Sequence, residues 1–560
     1  MDERKAQERI HKAVRNSLSW LDELPSQETE ILEQTKKEVN PLITVMNGNT
    51  ETMIQPAFSP ASHHIRARFR PVLALAAVLI LIAGFWAVQH NGLVGNVTRD
   101  IVTQPGSNGE TPGTPGMPAA VITDTINHPE ELPLDRIDLY VEPDLLWNSE
   151  TGILTEGENV DKKHLPYSNT VYRKMKDSGV KVDGELVYRS DEGAVLFKDQ
   201  VKLCLDGDFC LDMPQKSFLI DAADGSFDFP LFNDRTATSY PSILLRNSGD
   251  DSMWTRIQDG MQHRLIERHT DAKLLTQAWR PVQVYLNDEY WGMYNIREPI
   301  DAHTICRYEQ IPDEMAEDVT ILSISGSRRI QGDNKAFNQM LTKIKNGNPA
   351  ENPEDLEYLE QEVDIDNFLD WFTVEMYFGN SDIGGGKIYR VPGGKWKCLI
   401  TDLDYAMYSS DFNSVKSYLK TKGMGEKGIN NTIFLKILSV EKYKDLFFTK
   451  LGNLFRSLNA DVMESEVDAC VAWIEPGMKA HIDRWAPHYD KSILSDAPTT
   501  PEGGWEYWEQ RIVRLRNVIR KRPTRLYNFI QEYFEMTDEE MAVYFPTDIP
   551  RTVDDQPYAY

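Results

Sequence analysis

Eighteen consecutive residues without a charge, Pro71 to Val88, constrain this chain more than any other feature. A run of that length is close to the minimum for crossing a bilayer as a helix, and Trp86 stands where interfacial aromatics are favoured. Arg66, Arg68 and Arg70 precede it, whereas Arg99 on the far side is offset by Asp100. The positive-inside rule therefore expects residues 1–70 in the cytoplasm and the rest of the chain, from about residue 90, outside. A cleavable signal would begin near residue 1 and carry a shorter apolar core, so the run reads as an anchor of a single-pass membrane protein.

Composition divides the chain around that anchor. Residues 1–46 read as helical, with Ile10, Val14, Leu18 and Leu21 on one stripe and Glu3, Lys5, Glu8 and Arg9 off it. This piece is too small to enclose a large core, and its charged helices suit a cytoplasmic protein partner. Beyond the transmembrane helix at 71–90, Gln104 to Pro118 is so dense in Pro, Gly, Ser and Thr that residues 91–128 are expected to form a flexible stalk. The folded part is expected over 129–545, followed by a tail at 546–560. The formal charge of −27 argues against nucleic-acid binding, which needs a basic footprint. Five cysteines do not make a disulfide framework at this length, and Cys204 and Cys210, which flank a turn, are expected to be free thiols.

Within 129–545 the first half is rich in strands, at 137–141, 195–197, 201–205, 216–220 and 243–246. A helix is expected at about 252–268, then a hairpin over 282–298 turning at Asn287-Asp288. The second half is mainly helical, with helices at 366–378 (stopped by Gly379), 432–457, 460–485 and 504–534. Strands followed by helices predict an α+β, two-lobed architecture, and clefts between lobes favour ligands. Near the junction lies Trp396-Lys-Cys-Leu-Ile-Thr-Asp-Leu-Asp-Tyr405, where a short buried strand runs out into Asp402 and Asp404. Two acids one residue apart at a strand end point the same way and suit a hard cation such as Mg²⁺, although aspartates also commonly cap turns there.

Five stretches occur in an order that resembles the CotH kinase family, the spore-coat-type atypical protein kinases. They are Pro214-Gln-Lys-Ser-Phe218, Leu245-Arg-Asn-Ser-Gly249, Tyr285-Leu-Asn-Asp-Glu-Tyr-Trp-Gly-Met-Tyr294, Gly379-Asn-Ser-Asp382 and the Trp396…Tyr405 segment. The resemblance spans about 130–545 and implies a two-lobed atypical kinase fold using ATP and Mg²⁺ (or Mn²⁺). Phosphoryl transfer needs a cation on the triphosphate, a Lys or Arg on the phosphates, and an acid oriented towards the acceptor hydroxyl. By resemblance, Asp404 is the metal-binding aspartate and Asp402 a second ligand or its orienter. Asp382 is the catalytic-loop acid, Lys216 the phosphate-binding lysine, and Asp259 its helix-borne counter-charge. The segment around Arg297 and Glu298 resembles the hinge that meets adenine.

Two departures fall on the nucleotide site. Where relatives carry an Asn after the catalytic aspartate, this chain has Ile383-Gly-Gly-Gly-Lys387. A lysine cannot coordinate a metal, though Lys387 can neutralise phosphate. The loop before Pro214 is Gly207-Asp-Phe-Cys-Leu-Asp-Met213, whose acids repel a triphosphate unless they turn away. The sequence thus predicts a membrane-anchored kinase that transfers the ATP γ-phosphoryl group to Ser or Thr of a cell-surface or spore-coat protein. The alternatives are a catalytically impaired pseudokinase that serves as a docking module, and a carboxylate-pair hydrolase acting on surface polysaccharide. The basic run Arg511, Arg514, Arg516, Arg520, Lys521, Arg522 and Arg525 is expected to pair with acids of the same chain, with recognition of an acidic substrate as the alternative.

Overall fold

The computed structural model describes residues 134–155, 172, 176, 179–232, 235–419, 431–489 and 498–553. The helical segment, apolar run and stalk expected before residue 129 lie outside the described residues. No helix among the described residues is long and apolar enough to cross a membrane.

The first half closes into a seven-stranded barrel of β1 (Arg136–Val141), β2 (Val182–Arg189), β3 (Val195–Asp206), β4 (Ser217–Ala222), β5 (Ser242–Arg246), β6 (Trp279–Leu286) and β7 (Glu289–Arg297). Its order is β1-β2-β3-β4-β5-β7-β6, and β1 closes the circle by pairing in parallel with β6. Alternation decides what fills it: Leu203 and Leu205, Phe218 and Ile220, Ile243 and Leu245, and Val282 and Val284 form one buried cluster. The residues between them point outward, which places Arg246 on the outer surface and Cys204 opposite Leu203 and Leu205. Cys204 and Cys210 are free thiols. The hairpin turns as expected, with Asn287 and Asp288 both at positive φ (51° and 67°). β2 was not anticipated, because Asp183-Gly-Glu185 interrupts its apolar pattern.

Between β5 and β6 comes α1 (Gln258–His269), shorter than expected at its N-terminus. The reason is Asp251, whose side chain accepts the N–H groups of Thr255 (2.7 Å) and Gln258 (2.9 Å) and so holds 249–253 as a separate 3₁₀ turn. After β7 follow α2 (Ala302–Glu309), α3 (Lys335–Asn346), α4 (Pro353–Glu362) and α5 (Ile365–Phe378). A second sheet has the order β11-β10-β8-β9, formed by β8 (Thr320–Ser323), β9 (Arg329–Gln331), β10 (Lys387–Arg390) and β11 (Lys397–Leu399). The chain then adds α6 (Thr432–Leu438), α7 (Glu441–Ser457), α8 (Ala460–Trp485) and α9 (Pro501–Phe534). The helix expected over 432–457 is broken at Val440, whose backbone is extended. α5 is buried on every side, so it forms the spine of the second hydrophobic cluster. The architecture is mixed α+β.

Candidate active site

Two loops carry the acids, one leaving the buried spine and the other leaving β11. α5 ends at Gly379 in a left-handed conformation (φ 65°), and the chain leaves it through Asn380 and Ser381 to Asp382. β11 ends at Leu399 and leads into Asp402 and Asp404. Asn380 stitches the loops together, because its Nδ2 donates to the Asp402 carbonyl at 3.3 Å while its Oδ1 accepts the Asp382 N–H at 3.0 Å. The Met407 N–H donates to the Phe378 carbonyl at 2.8 Å and ties the far end of the second loop to α5.

Asp402 and Asp404 do not share a direction through strand alternation, as the sequence suggested. Asp402 has φ 63°, which turns the backbone after the strand has ended. Its side chain is exposed, whereas that of Asp404 is 2% exposed. They nevertheless meet at one group. Arg246 grips Asp404 with both arms, Nη1 to Oδ1 at 3.2 Å and Nη2 to Oδ2 at 2.7 Å, and the same Nη2 lies 3.6 Å from Asp402 Oδ1. The Asp250 N–H adds a bond to Asp404 Oδ2 at 3.2 Å. Gly249, at φ 58°, makes this approach possible, since a Cβ there would overlap Asp404 Oδ2 and Arg246 Nη2. Burial pushes the Asp404 carboxyl well above the usual carboxylate range, against the pull of Arg246.

Beneath the second loop, α1 supplies three polar anchors. Asp259 accepts the Leu403 N–H at 2.9 Å with one oxygen and pairs with the fully buried Arg297 through the other. Gln258 donates to the Asp404 carbonyl at 2.8 Å, and Gln262 to the Leu403 carbonyl at 3.1 Å. On the other side, α5 presents Glu375, which is 0% exposed. Its carboxyl group faces the side chain of Asn380. Burial pushes this carboxyl well above the usual range; Asn380 opposes the shift, while Asp402 and Asp382 add to it.

The structure therefore gathers Asp382, Asp402 and Asp404 and rearranges the expected cations. Lys216 is buried, but it precedes β4 on the same alternation as Phe218 and Ile220, at the mouth of the barrel. Its ammonium donates to the Met213 carbonyl and sits 4.4 Å from the Tyr172 ring centroid. The charge partner of Asp259 is Arg297, which corrects the expected pairing with Lys216. Glu298 turns to Arg307 of α2 instead of the site, and its backbone carbonyl accepts from Gln277 at 2.8 Å. Lys387 opens β10 half-buried; burial pulls its pKa down, while Asp206 and Asp402 pull it back up. Asp208, expected to repel phosphate, is paired with Arg328 (3.0 Å) and Lys176 (3.1 Å). In the basic run, Arg516 pairs with Asp468, Arg520 with Glu464 and Arg525 with Asp411, as self-pairing predicts. Arg511 and Arg514 instead lie over Tyr408, 5.5 and 4.4 Å from its ring centroid.

Sequence reasoning passed over Arg246 even though it lies inside one of the matched stretches. The signal was present: alternation in Ile243-Leu-Leu-Arg246 sends Arg246 to the face opposite the barrel core. Asn380 was likewise quoted without a role.

The site is a set of carboxylates on two loops, met by guanidiniums from the strand ends of a β-barrel and lying beside a buried helix. The family model described as CotH kinase protein matches residues 205–526, and the chain belongs to the CotH kinase family. A search of curated proteins returned no match.

Proposed function

We propose that this chain is a membrane-anchored protein kinase that transfers the ATP γ-phosphoryl group to Ser or Thr of an extracytoplasmic, surface or coat protein. The observation that carries the reading is the junction of the two acid loops by Asn380, which holds Asp382 beside Asp402 and Asp404. In this reading the barrel is one lobe and the helical body the other, with the acids between them. Asp402 and Asp404 fit a divalent cation by donor chemistry, being two hard carboxylates that already converge on one positive group. Among the described residues no three His, Cys, Asp or Glu side chains gather as a metal cage, so these two would hold it with the nucleotide phosphates completing the set. That cation, when bound, supplies charge neutralisation of the triphosphate. Lys387, which stands where relatives carry an asparagine, meets the phosphates. Asp382 orients the acceptor hydroxyl and takes its proton as the oxygen bonds to the γ-phosphorus and the bond to ADP breaks. The apolar run at 71–88, with three arginines before it, supports the anchor and an extracytoplasmic domain. Residues 1–46 would face a cytoplasmic partner.

A pseudokinase is the second reading, favoured by the Arg246 guanidinium lying on both metal-loop carboxylates and by the absent asparagine. Transfer of labelled phosphate separates the two. Asp382→Asn and Asp404→Asn are each expected to lower the rate by roughly 10²-fold or more relative to wild type. Equal labelling by all three proteins rules out the kinase roles, and no labelling by wild type together with ATP-dependent thermal stabilisation establishes the pseudokinase.

A further inference from the structure

We propose that Arg246 is a built-in counter-ion, holding the place that a divalent cation would take between Asp402 and Asp404 and leaving it only when nucleotide phosphates draw the guanidinium away. This rests on reading those aspartates as the cation ligands.

The geometry gives Arg246 that place. Its Nη2 is 2.7 Å from Asp404 Oδ2 and 3.6 Å from Asp402 Oδ1, on the two carboxylates that would hold the cation. Mg²⁺ needs its ligand oxygens at about 2.0–2.1 Å, so it cannot share that space with the guanidinium. Two positive charges placed that close together also repel. The guanidinium is already committed to both carboxylates, so a dication arriving alone would leave it beside a second positive charge with no other anion to turn to. A dication arriving with a triphosphate brings Arg246 a new anionic partner.

The strand end does not depend on the Arg246 side chain. Arg246 lies on the outer face at the last residue of β5, and its backbone neighbours Asn247 and Ser248 are held separately: the Asn247 N–H donates to Ser217 Oγ at 3.0 Å, and Asn295 Nδ2 donates to Ser248 Oγ at 2.8 Å. The side chain can therefore rotate without unravelling the strand end. The consequence is coupling, because nucleotide and metal each bind weakly alone and strongly together. A surface kinase built this way stays neutralised in metal-rich surroundings until nucleotide reaches it.

The test is Mn²⁺ binding to the full-length protein, read by electron paramagnetic resonance of free Mn²⁺, with and without a non-hydrolysable ATP analogue. Wild type is expected to bind Mn²⁺ at least tenfold more tightly with the analogue. Arg246→Met is expected to bind Mn²⁺ without nucleotide at least tenfold more tightly than wild type and to lose most of the coupling. Equal Mn²⁺ affinity of the nucleotide-free proteins, or no Mn²⁺ binding by a folded Arg246→Met, overturns the proposal. Should the methionine variant not fold, Arg246→Lys keeps the charge but holds one oxygen instead of two, so it should show an intermediate gain; an unchanged affinity overturns the proposal equally. Failure of the kinase reading looks different, since nucleotide then has no effect on any of the proteins while the gain in Arg246→Met persists.

Discussion

The carboxylate of Asp259, on the first turn of α1, accepts the backbone N–H of Leu403, the residue between the two loop aspartates, at 2.9 Å. Its other oxygen pairs with Arg297 at the end of β7, so a single side chain fastens the loop of Asp402 and Asp404 to the barrel wall. The position of Asp402 and Asp404 is thus set by a buried ion pair as well as by the strand that precedes them.

Breaking that pair should be costly. Asp259→Ala leaves Arg297 as an unpaired charge with no exposed surface, and loss of one member of a buried pair typically costs about 3–5 kcal/mol. Urea denaturation of the variant should show a loss in that range, and Asp259→Ala/Arg297→Met should recover part of it. A loss below about 1 kcal/mol would mean that water reaches Arg297.

Among the described residues Arg522 of α9 has no carboxylate within bonding distance, yet it is fully buried, because it serves backbone oxygens. It donates to the carbonyls of Met376 (2.7 Å), Tyr377 (3.0 Å) and Phe412 (2.6 Å) and to Ser414 Oγ (2.6 Å). It thereby joins the end of α5 to the segment that follows Asp404. Arg522→Met leaves those acceptors dry, at about 1–3 kcal/mol each before relaxation. The variant should melt lower than wild type, and limited proteolysis should cut faster near residues 408–414. Unchanged cleavage there would show that Arg522 acts on α5 alone.

Glu375 should give the protein a pH-dependent weakness. Its folded-state pKa is raised, chiefly by burial, so the native state binds more protons than the unfolded chain once the pH exceeds the unfolded value of about 4.3. The contribution of Glu375 to stability is thus fully present below that value and is lost as pH rises towards the folded pKa. The charges facing it, Asp402 and Asp382, accentuate the loss, while Asn380 moderates it. Glu375→Gln should flatten this dependence between pH 5 and pH 8 in chemical denaturation, and parallel slopes for the two proteins would refute the assignment.

Lys387 and Lys216 should separate in nucleotide affinity. If Lys387 meets the phosphates, Lys387→Met weakens ATP binding by about 10- to 100-fold, the worth of a hydrogen bond to a charged group. Lys216→Met, which replaces a side chain directed at Tyr172 and Met213, should leave affinity within about threefold and chiefly lower the melting temperature. Calorimetric titration with ATP and Mg²⁺ measures both, and the reverse ranking would restore Lys216 to the site.

Much of the architecture was legible in the residues themselves. Period-two runs such as Val201–Leu205, the Asn287-Asp288 turn, and the helix closed by Gly379 are local patterns whose physics needs no partner. The acids Asp382, Asp402 and Asp404 were legible for the same reason, each standing where a regular element ends. β2 was hidden by Gly184 and its acidic neighbours, and the break at Val440 by an apolar pattern that runs on through it.

Sequence by itself determined the strands and helices with clear local periodicity and which residues are hydrophobic enough to be inside, because these depend on neighbours within a few residues, and its ordered motifs determined the family. Tertiary structure alone decided which cation meets which carboxylate: Arg246 for Asp404, Arg297 for Asp259, Arg307 for Glu298. The Arg246–Asp404 contact spans 158 positions of chain, and the choice among several arginines and lysines turns on barrel closure and one bare α-carbon at Gly249. Charge attraction reaches any partner of opposite sign, so a list of charged residues cannot select one; the backbone, by fixing which side chains share a buried space, does.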